Sequence, residues 1–160
     1  MDRNEMLRIK VINGPNLNLL GVREPHIYGR ITLEEIRQGC ERIAQDLKVS
    51  LAFLQSNHEG QLVDWIQAAR QDADAIVLNP AGYSFTSVAI FDALKAFEGP
   101  IIELHLSNIH ARDELHRHSI MSRAATGVIC GLGAPGYAIA IDAAVRLVRH
   151  RNGLEASNVA

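Results

Sequence analysis

Val11-Ile12-Asn13-Gly14-Pro15-Asn16-Leu17-Asn18-Leu19-Leu20-Gly21 is the stretch on which the fold turns. Ile9, Val11 and Ile12 form an apolar burst that reads as a buried strand, which Asn-Gly-Pro-Asn then breaks into a turn. A segment carrying Arg23-Glu24-Pro25 and Tyr28-Gly29 follows. Open α/β sheets place their chemistry in loops at the carboxyl ends of parallel strands. A tyrosine held beside a guanidinium in such a loop has its pKa drawn down from about 10, because the cation favours phenolate. Tyr28 is therefore a candidate general base, with Arg23 as its activator.

Outward from this stretch, apolar bursts alternate with amphipathic ones. Arg8–Asn13 is the first predicted strand. Thr32 caps a helix over Leu33–Leu47, and Glu35 completes a capping box. Val49–Leu54 is a second strand, and Glu59–Asp72 a helix with Leu62, Trp65, Ile66 and Ala69 at helical spacing. Ala75–Leu78 is a short buried strand that ends in the loop Asn79-Pro80-Ala81-Gly82-Tyr83. A helix over Ser87–Phe97 stops at Glu98-Gly99-Pro100. Ile101–Leu106 is the fourth strand and Gly127–Cys130 part of a fifth. Gly131–Gly136 is a turn before a last helix over Tyr137–His150.

Strands alternating with helices predict an α/β fold with a five-stranded parallel sheet and right-handed crossovers. The default is a flavodoxin-like three-layer sandwich of order 2-1-3-4-5. One domain is expected over 8–150, with tails at 1–7 and 151–160. In that order the loops after strands one, three and four meet in one cleft. Those are the loops that follow Asn13, Leu78 and Leu106.

Composition narrows the classes. The chain has 160 residues, 48% hydrophobic and 21% charged, which is a globular profile. A net charge of −2 gives no global reason to expect a nucleic-acid partner. Arg149 and Arg151 read as a solvated helix terminus. Cys40 and Cys130 lack the paired spacing of a zinc site and are expected to be buried free thiols, as in a reducing cytoplasm. The first residues are mostly charged or polar, with no apolar core of a signal peptide. No run approaches the ~18 apolar residues of a membrane span, so a cytoplasmic protein without membrane contact is expected.

On the fourth strand, Glu103 and His105 are two apart and face the same side. A carboxylate there orients the imidazole, fixes its tautomer and suits it to act as a general acid. Past the strand, the backbone amides of Leu106 and Ser107 and the Ser107 hydroxyl can bind an anion without a cation. Asn79 is either a turn former before Pro80 or a ligand. The Asn16 side-chain amide in the first loop can hold a water, and Arg23 is placed to stabilise negative charge beside it.

These motifs resemble the type II 3-dehydroquinate dehydratases, the metal-free dehydroquinases of the shikimate and quinate pathways. The resemblance runs from about Arg8 to Arg149. It implies that Tyr28 takes a proton from C2 of 3-dehydroquinate and that the Glu103–His105 pair protonates the departing C1 hydroxyl. It further implies that Asn79, with Leu106 and Ser107, holds the substrate carboxylate, and that Arg112 adds positive charge near the tyrosine. No cofactor or metal is implied. Lys10, Lys48 and Lys95 all lie outside the matched loops, which argues against a Schiff-base route. The family assembles trimers into a dodecamer, and retained Asp92 would reach a neighbouring subunit's site. Val22–Arg30 would form a lid over the cleft.

Two positions depart from the family pattern. Its loop after the third strand usually reads Asn-Pro-Gly-Ala-Tyr/Phe-Thr/Ser-His-Thr-Ser, and here Phe85 stands where the histidine would bond ring hydroxyls. A second arginine, also a hydroxyl ligand, aligns with His116. Two readings stand: a dehydroquinase with weaker substrate affinity, or a paralogue acting on a related cyclic hydroxy-ketone acid. Two readings come from other classes: an inactive structural or regulatory paralogue, and a flavin- or nucleotide-binding module. The second lacks a phosphate-binding glycine loop after strand one.

Overall fold

The computed structural model describes residues 6–153. The rest of the two expected tails, 1–5 and 154–160, lies outside the described residues. Five parallel strands pair in the order β2-β1-β3-β4-β5. They are β1 (Arg8–Asn13), β2 (Ser50–Gln55), β3 (Ala75–Asn79), β4 (Ile101–His105) and β5 (Gly127–Cys130). The helices are α1 (Pro25–Tyr28), α2 (Leu33–Leu47), α3 (Glu59–Asp72), α4 (Val88–Lys95) and α5 (Pro135–Arg151). The expected flavodoxin-like order holds.

Strand alternation sorts the core into two layers. Val11, Val77, Ile102 and Leu104 pack with α2 and α5 on one face. Ile12, Ile76, Leu78 and Ile101 pack with α3 and α4 on the other. Every residue of β3 is buried, which is why its Ala75–Leu78 part reads as an unbroken apolar run rather than an alternating one. Each fully buried aliphatic side chain of this kind contributes about 1.5–3 kcal/mol.

Local chemistry sets most boundaries. Thr32 Oγ1 accepts from the Glu35 amide and Glu35 returns the bond to the Thr32 amide, so the capping box is present. Ser87 is the N-cap of α4, accepting from Ile90 N, rather than its first residue. The strand expected over Val49–Leu54 runs one residue later, because Val49 N still closes the end of α2 on Ala44 O. The last helix begins at Pro135, earlier than expected, since proline's fixed φ and missing N–H suit a first helical turn.

Three expectations need correction. The expected alternation of strands with helices breaks between β4 and β5, where no α-helix forms. Asn108 Oδ1 and Asp113 Oδ1 capture nearby amides, so that connection condenses into single 3₁₀ turns. Arg149 and Arg151 are not merely solvated: they donate to Leu47 O (2.9 Å) and Glu98 O (2.7 Å) and tie α5 to the connections beyond α2 and α4. Cys40 is buried, but Cys130 on the edge strand β5 is only half-buried.

The register that matters for the site is Asn13 beside Asn79 at the carboxyl ends of β1 and β3. Beyond it the loops touch through backbone. Gly14 N donates to Asn79 O (2.8 Å), and a Cβ on Gly14 would lie 2.5 Å from Pro80 O. Only glycine permits that approach.

Candidate active site

One cleft opens over the carboxyl ends of β1, β3 and β4. The first loop contributes Asn16 and Arg23, the loop after β3 contributes Asn79 and Phe85, and the β4 end contributes His105, Leu106 and Ser107. Arg112 and His116 close it from the connection that follows. The structure thus gathers nine of the twelve sequence-derived candidates into one lining. The other three stand apart. Glu103 lies behind His105, fully buried. Asp92 is exposed on α4 and does not line this cleft. Tyr28 ends α1, five residues past Arg23 in sequence, and its side chain lies outside the described residues.

Asn16 adopts a left-handed backbone (φ 67°), and its amide N–H donates to Asn57 Oδ1 (2.9 Å). That arrangement leaves the Asn16 side-chain amide without a protein hydrogen bond among the described residues. Arg23 is half-exposed, with Nη2 3.3 Å from Glu24 Oε2. Glu24 is itself left-handed (φ 43°), and Val22 beside Arg23 is one of the most exposed apolar residues.

His105 Nε2 is hydrogen-bonded to Glu103 Oε2. Ser122 Oγ donates to the other carboxylate oxygen at 2.7 Å. Burial pushes the Glu103 carboxyl up, but the hydrogen bond and charge of His105, with the Ser122 and Ser119 hydroxyls, hold it below the ordinary carboxylate range. The carboxylate therefore fixes the imidazole from behind, on a rigid strand.

This has a measurable consequence. A carboxyl with a lower pKa in the folded state stabilises the fold fully above its unfolded value of about 4.5, and that stability is lost as pH falls through the folded value. Glu103→Gln should therefore flatten the acid limb of a Tm–pH profile taken between about pH 6 and pH 3. An acid limb as steep as that of the unmodified protein would contradict it.

Asn79 is only 3% exposed and already engaged. Its Nδ2 donates to Tyr137 Oη (3.0 Å) and its Oδ1 accepts from Ala81 N (3.3 Å), which leaves one amide N–H unspent. Across the cleft, the Phe85 and His116 rings meet edge to face, with centroids 5.5 Å apart. His116 Nδ1 bonds both Asp113 carboxylate oxygens at 2.9 Å, and that hydrogen bond lowers the Asp113 pKa. Arg117 lies outside the lining and donates to Arg112 O instead.

Sequence reading missed the supporting residues. Ser119 and Ser122 brace Glu103, Asn57 braces Asn16, and Asn13 and Tyr137 brace Asn79. A trace of them was available: Asn13 is a polar residue closing an apolar run, in a place where an unpaired amide would be costly.

An open α/β sheet with a carboxylate-oriented histidine on the strand next to its β1/β3 switch point defines a protein built for acid–base chemistry on a small molecule. The family described as Dehydroquinase class II matches residues 7–145. A 3-dehydroquinate dehydratase of Caulobacter vibrioides is 55% identical over 141 residues, covering 88% of this chain and 97% of its own. A catabolic 3-dehydroquinase of Emericella nidulans is 54% identical over 134 residues, covering 84% and 88%. The crystal structure of a type II dehydroquinase from Butyrivibrio crossotus superposes with a TM-score of 0.85 at 40% identity, covering 86% of this chain and 97% of that one. The chain belongs to the class II dehydroquinase family.

Proposed function

We propose that this protein is a 3-dehydroquinate dehydratase, a hydro-lyase that converts 3-dehydroquinate to 3-dehydroshikimate and water. The observation that carries the reading is the match of 88% of the chain, at 55% identity, to a dehydratase of that name. The cleft agrees with it in kind. It combines a histidine oriented by a buried carboxylate with amide, hydroxyl and guanidinium groups suited to an anionic, hydroxylated ring.

In this reading the Tyr28 phenolate removes a proton from C2, alpha to the ketone, and the electron pair moves to the carbonyl oxygen as an enolate. Arg23 and a water held by Asn16 stabilise that oxygen. The enolate then collapses, the C1–O bond breaks, and His105 gives its proton to the departing hydroxyl. Asn79 and the Leu106–Ser107 turn hold the carboxylate, and Arg112 adds positive charge near Tyr28. The three lysines lie outside the cleft lining, and Lys10 Nζ is paired with Asp72 (2.5 Å), which supports a route without an imine. Ultraviolet detection of the enone acid tests the whole reading. Borohydride added with substrate should leave activity intact, and inactivation would point to a lysine imine instead.

The Phe85–His116 pair favours one refinement: ring-hydroxyl contacts are weaker here than in relatives that carry histidine and arginine. Phe85→His with His116→Arg should lower KM for 3-dehydroquinate while kcat stays close to its starting value, since the regained bonds form in ground and transition states alike. Each regained bond is worth about 0.5–1.5 kcal/mol. If a screen of hydroxy-ketone acids finds one that the unmodified protein turns over better and the double variant turns over worse, the pair belongs to a cleft shaped for that other ring.

Val22–Arg30 serves as the lid. Most of this segment is exposed, and it offers little apolar surface to anchor it. Amide hydrogen exchange there should be fast without ligand and slower with product bound. Strong protection in both states would exclude a moving lid. The assembly we propose is a homo-oligomer, a dodecamer of trimers, in which exposed Asp92 serves a neighbouring cleft. A monomer fully active in dilute solution would exclude that shared site. We place the protein in the cytoplasm; no helix among the described residues is long and apolar enough to cross a membrane. The same elimination serves shikimate formation and quinate breakdown.

A further inference from the structure

Tyr137 is buried in the layer between the sheet and α5, only 1% exposed, and has no part in the chemistry above. Burial pushes its hydroxyl well above the ordinary tyrosine range, so it stays protonated. That single proton is already committed. Tyr137 Oη donates to Asn13 Oδ1 (2.6 Å) and accepts from Asn79 Nδ2 (3.0 Å).

The polarity of this chain is set at both ends by backbone groups that cannot reverse. Leu54 O can only accept, so Asn13 presents Nδ2 to it (3.0 Å) and turns Oδ1 toward Tyr137. Tyr137 must then donate to Asn13 and keeps only a lone pair for Asn79. Asn79 must in turn present Nδ2 to the tyrosine. At the far end Ala81 N–H can only donate, and it meets Asn79 Oδ1 (3.3 Å). Ala81 holds a left-handed backbone (φ 50°) and lines the cleft with Asn79. Both amide orientations follow from hydrogen-bond logic alone.

We infer that Tyr137 is a positioning residue for substrate binding: by fixing the polarity of the Asn13–Tyr137–Asn79 chain, it keeps the Asn79 amide nitrogen, and not its oxygen, available to the substrate carboxylate. The inference rests on the reading of the cleft as a dehydroquinase site. A flipped Asn79 would offer the carboxylate a carbonyl oxygen, exchanging a donor for a repelling acceptor. The chain also couples β2, β1, α5 and β3, so the ligand amide is held by the scaffold rather than by its own loop.

Steady-state kinetics with 3-dehydroquinate on the unmodified protein and four variants test this. Tyr137→Phe removes one hydroxyl and leaves the Asn79 amide held only by the long bond from Ala81 N (3.3 Å). Asn13→Ala removes the acceptor, so the tyrosine proton can swing to Asn79 Oδ1 and drive the flip. Each should raise KM about three- to tenfold with kcat within about twofold, as expected for one lost or reversed contact to an ion. Asn79→Ala should also raise KM, and adding Tyr137→Phe to it should raise KM no further, because the tyrosine acts only through the asparagine. Loss of thermal stability in Tyr137→Phe at unchanged KM would overturn the inference, as would a multiplicative effect in the double variant. If Tyr137→Phe fails to fold, Asn13→Ala carries the same test. Unchanged KM in Asn79→Ala would remove the carboxylate role of Asn79 and the positioning role with it. Failure of the unmodified protein to turn over 3-dehydroquinate would instead sink the substrate reading itself.

Discussion

Tyr28→Phe should reduce kcat for 3-dehydroquinate by roughly 10²–10⁴-fold, the usual contribution of a positioned general base. The substitution removes one hydroxyl and keeps the aromatic ring of a residue at the end of a four-residue helix whose Pro25, His26 and Ile27 are exposed. Thermal stability should therefore be unchanged. A second readout identifies the step. If the tyrosine takes the C2 proton, the variant should also stop exchanging that proton with deuterium from solvent. Dehydration lost with exchange retained would move the base elsewhere in the cleft.

His105→Ala should give a loss of similar size, roughly 10²–10⁴-fold, with the opposite isotope behaviour. Enolate formation does not need the acid, so C2 exchange should continue while water loss stalls. The order of steps makes the two variants distinguishable although both are nearly inactive. Glu103→Gln should fall between them and the unmodified protein, since Glu103 touches the imidazole and not the cleft. A His105→Ala variant that loses exchange and dehydration equally would show that the histidine belongs to the proton-abstraction step.

Much of the scaffold could be read from local signals, and the reason is physical. The Thr32–Glu35 box and the periodic apolar positions of α3 are short-range patterns, and both elements begin and end where those patterns place them. Strand order followed from the default for alternating strands and helices. Reading failed where structure depends on side chains capturing nearby backbone, as in the 3₁₀ turns after β4. It also failed for contacts between distant segments. Tyr137 reads as one more apolar residue on α5, and only the folded chain brings its hydroxyl to Asn13, 124 positions away. The edge-to-face packing of Phe85 on His116 is similar: two departures read separately turn out to be neighbours. Their meeting suggests that a change at one alters what is tolerated at the other.

The backbone contact between Gly14 and Pro80 bears on how this cleft can diverge over evolutionary time. Two of its loops are held together main chain to main chain, so drift in either one disturbs the other, and viable changes there must arrive in pairs. The wall formed by Phe85 and His116 is coupled through side chains alone, whose rings meet edge to face, so the two can change together without moving either loop's backbone. New substrate preferences in descendants of this protein should therefore accumulate on that wall, while the glycine side stays frozen. Libraries that randomise 85 and 116 together should yield folded, functional variants far more often than libraries at 14 and 80.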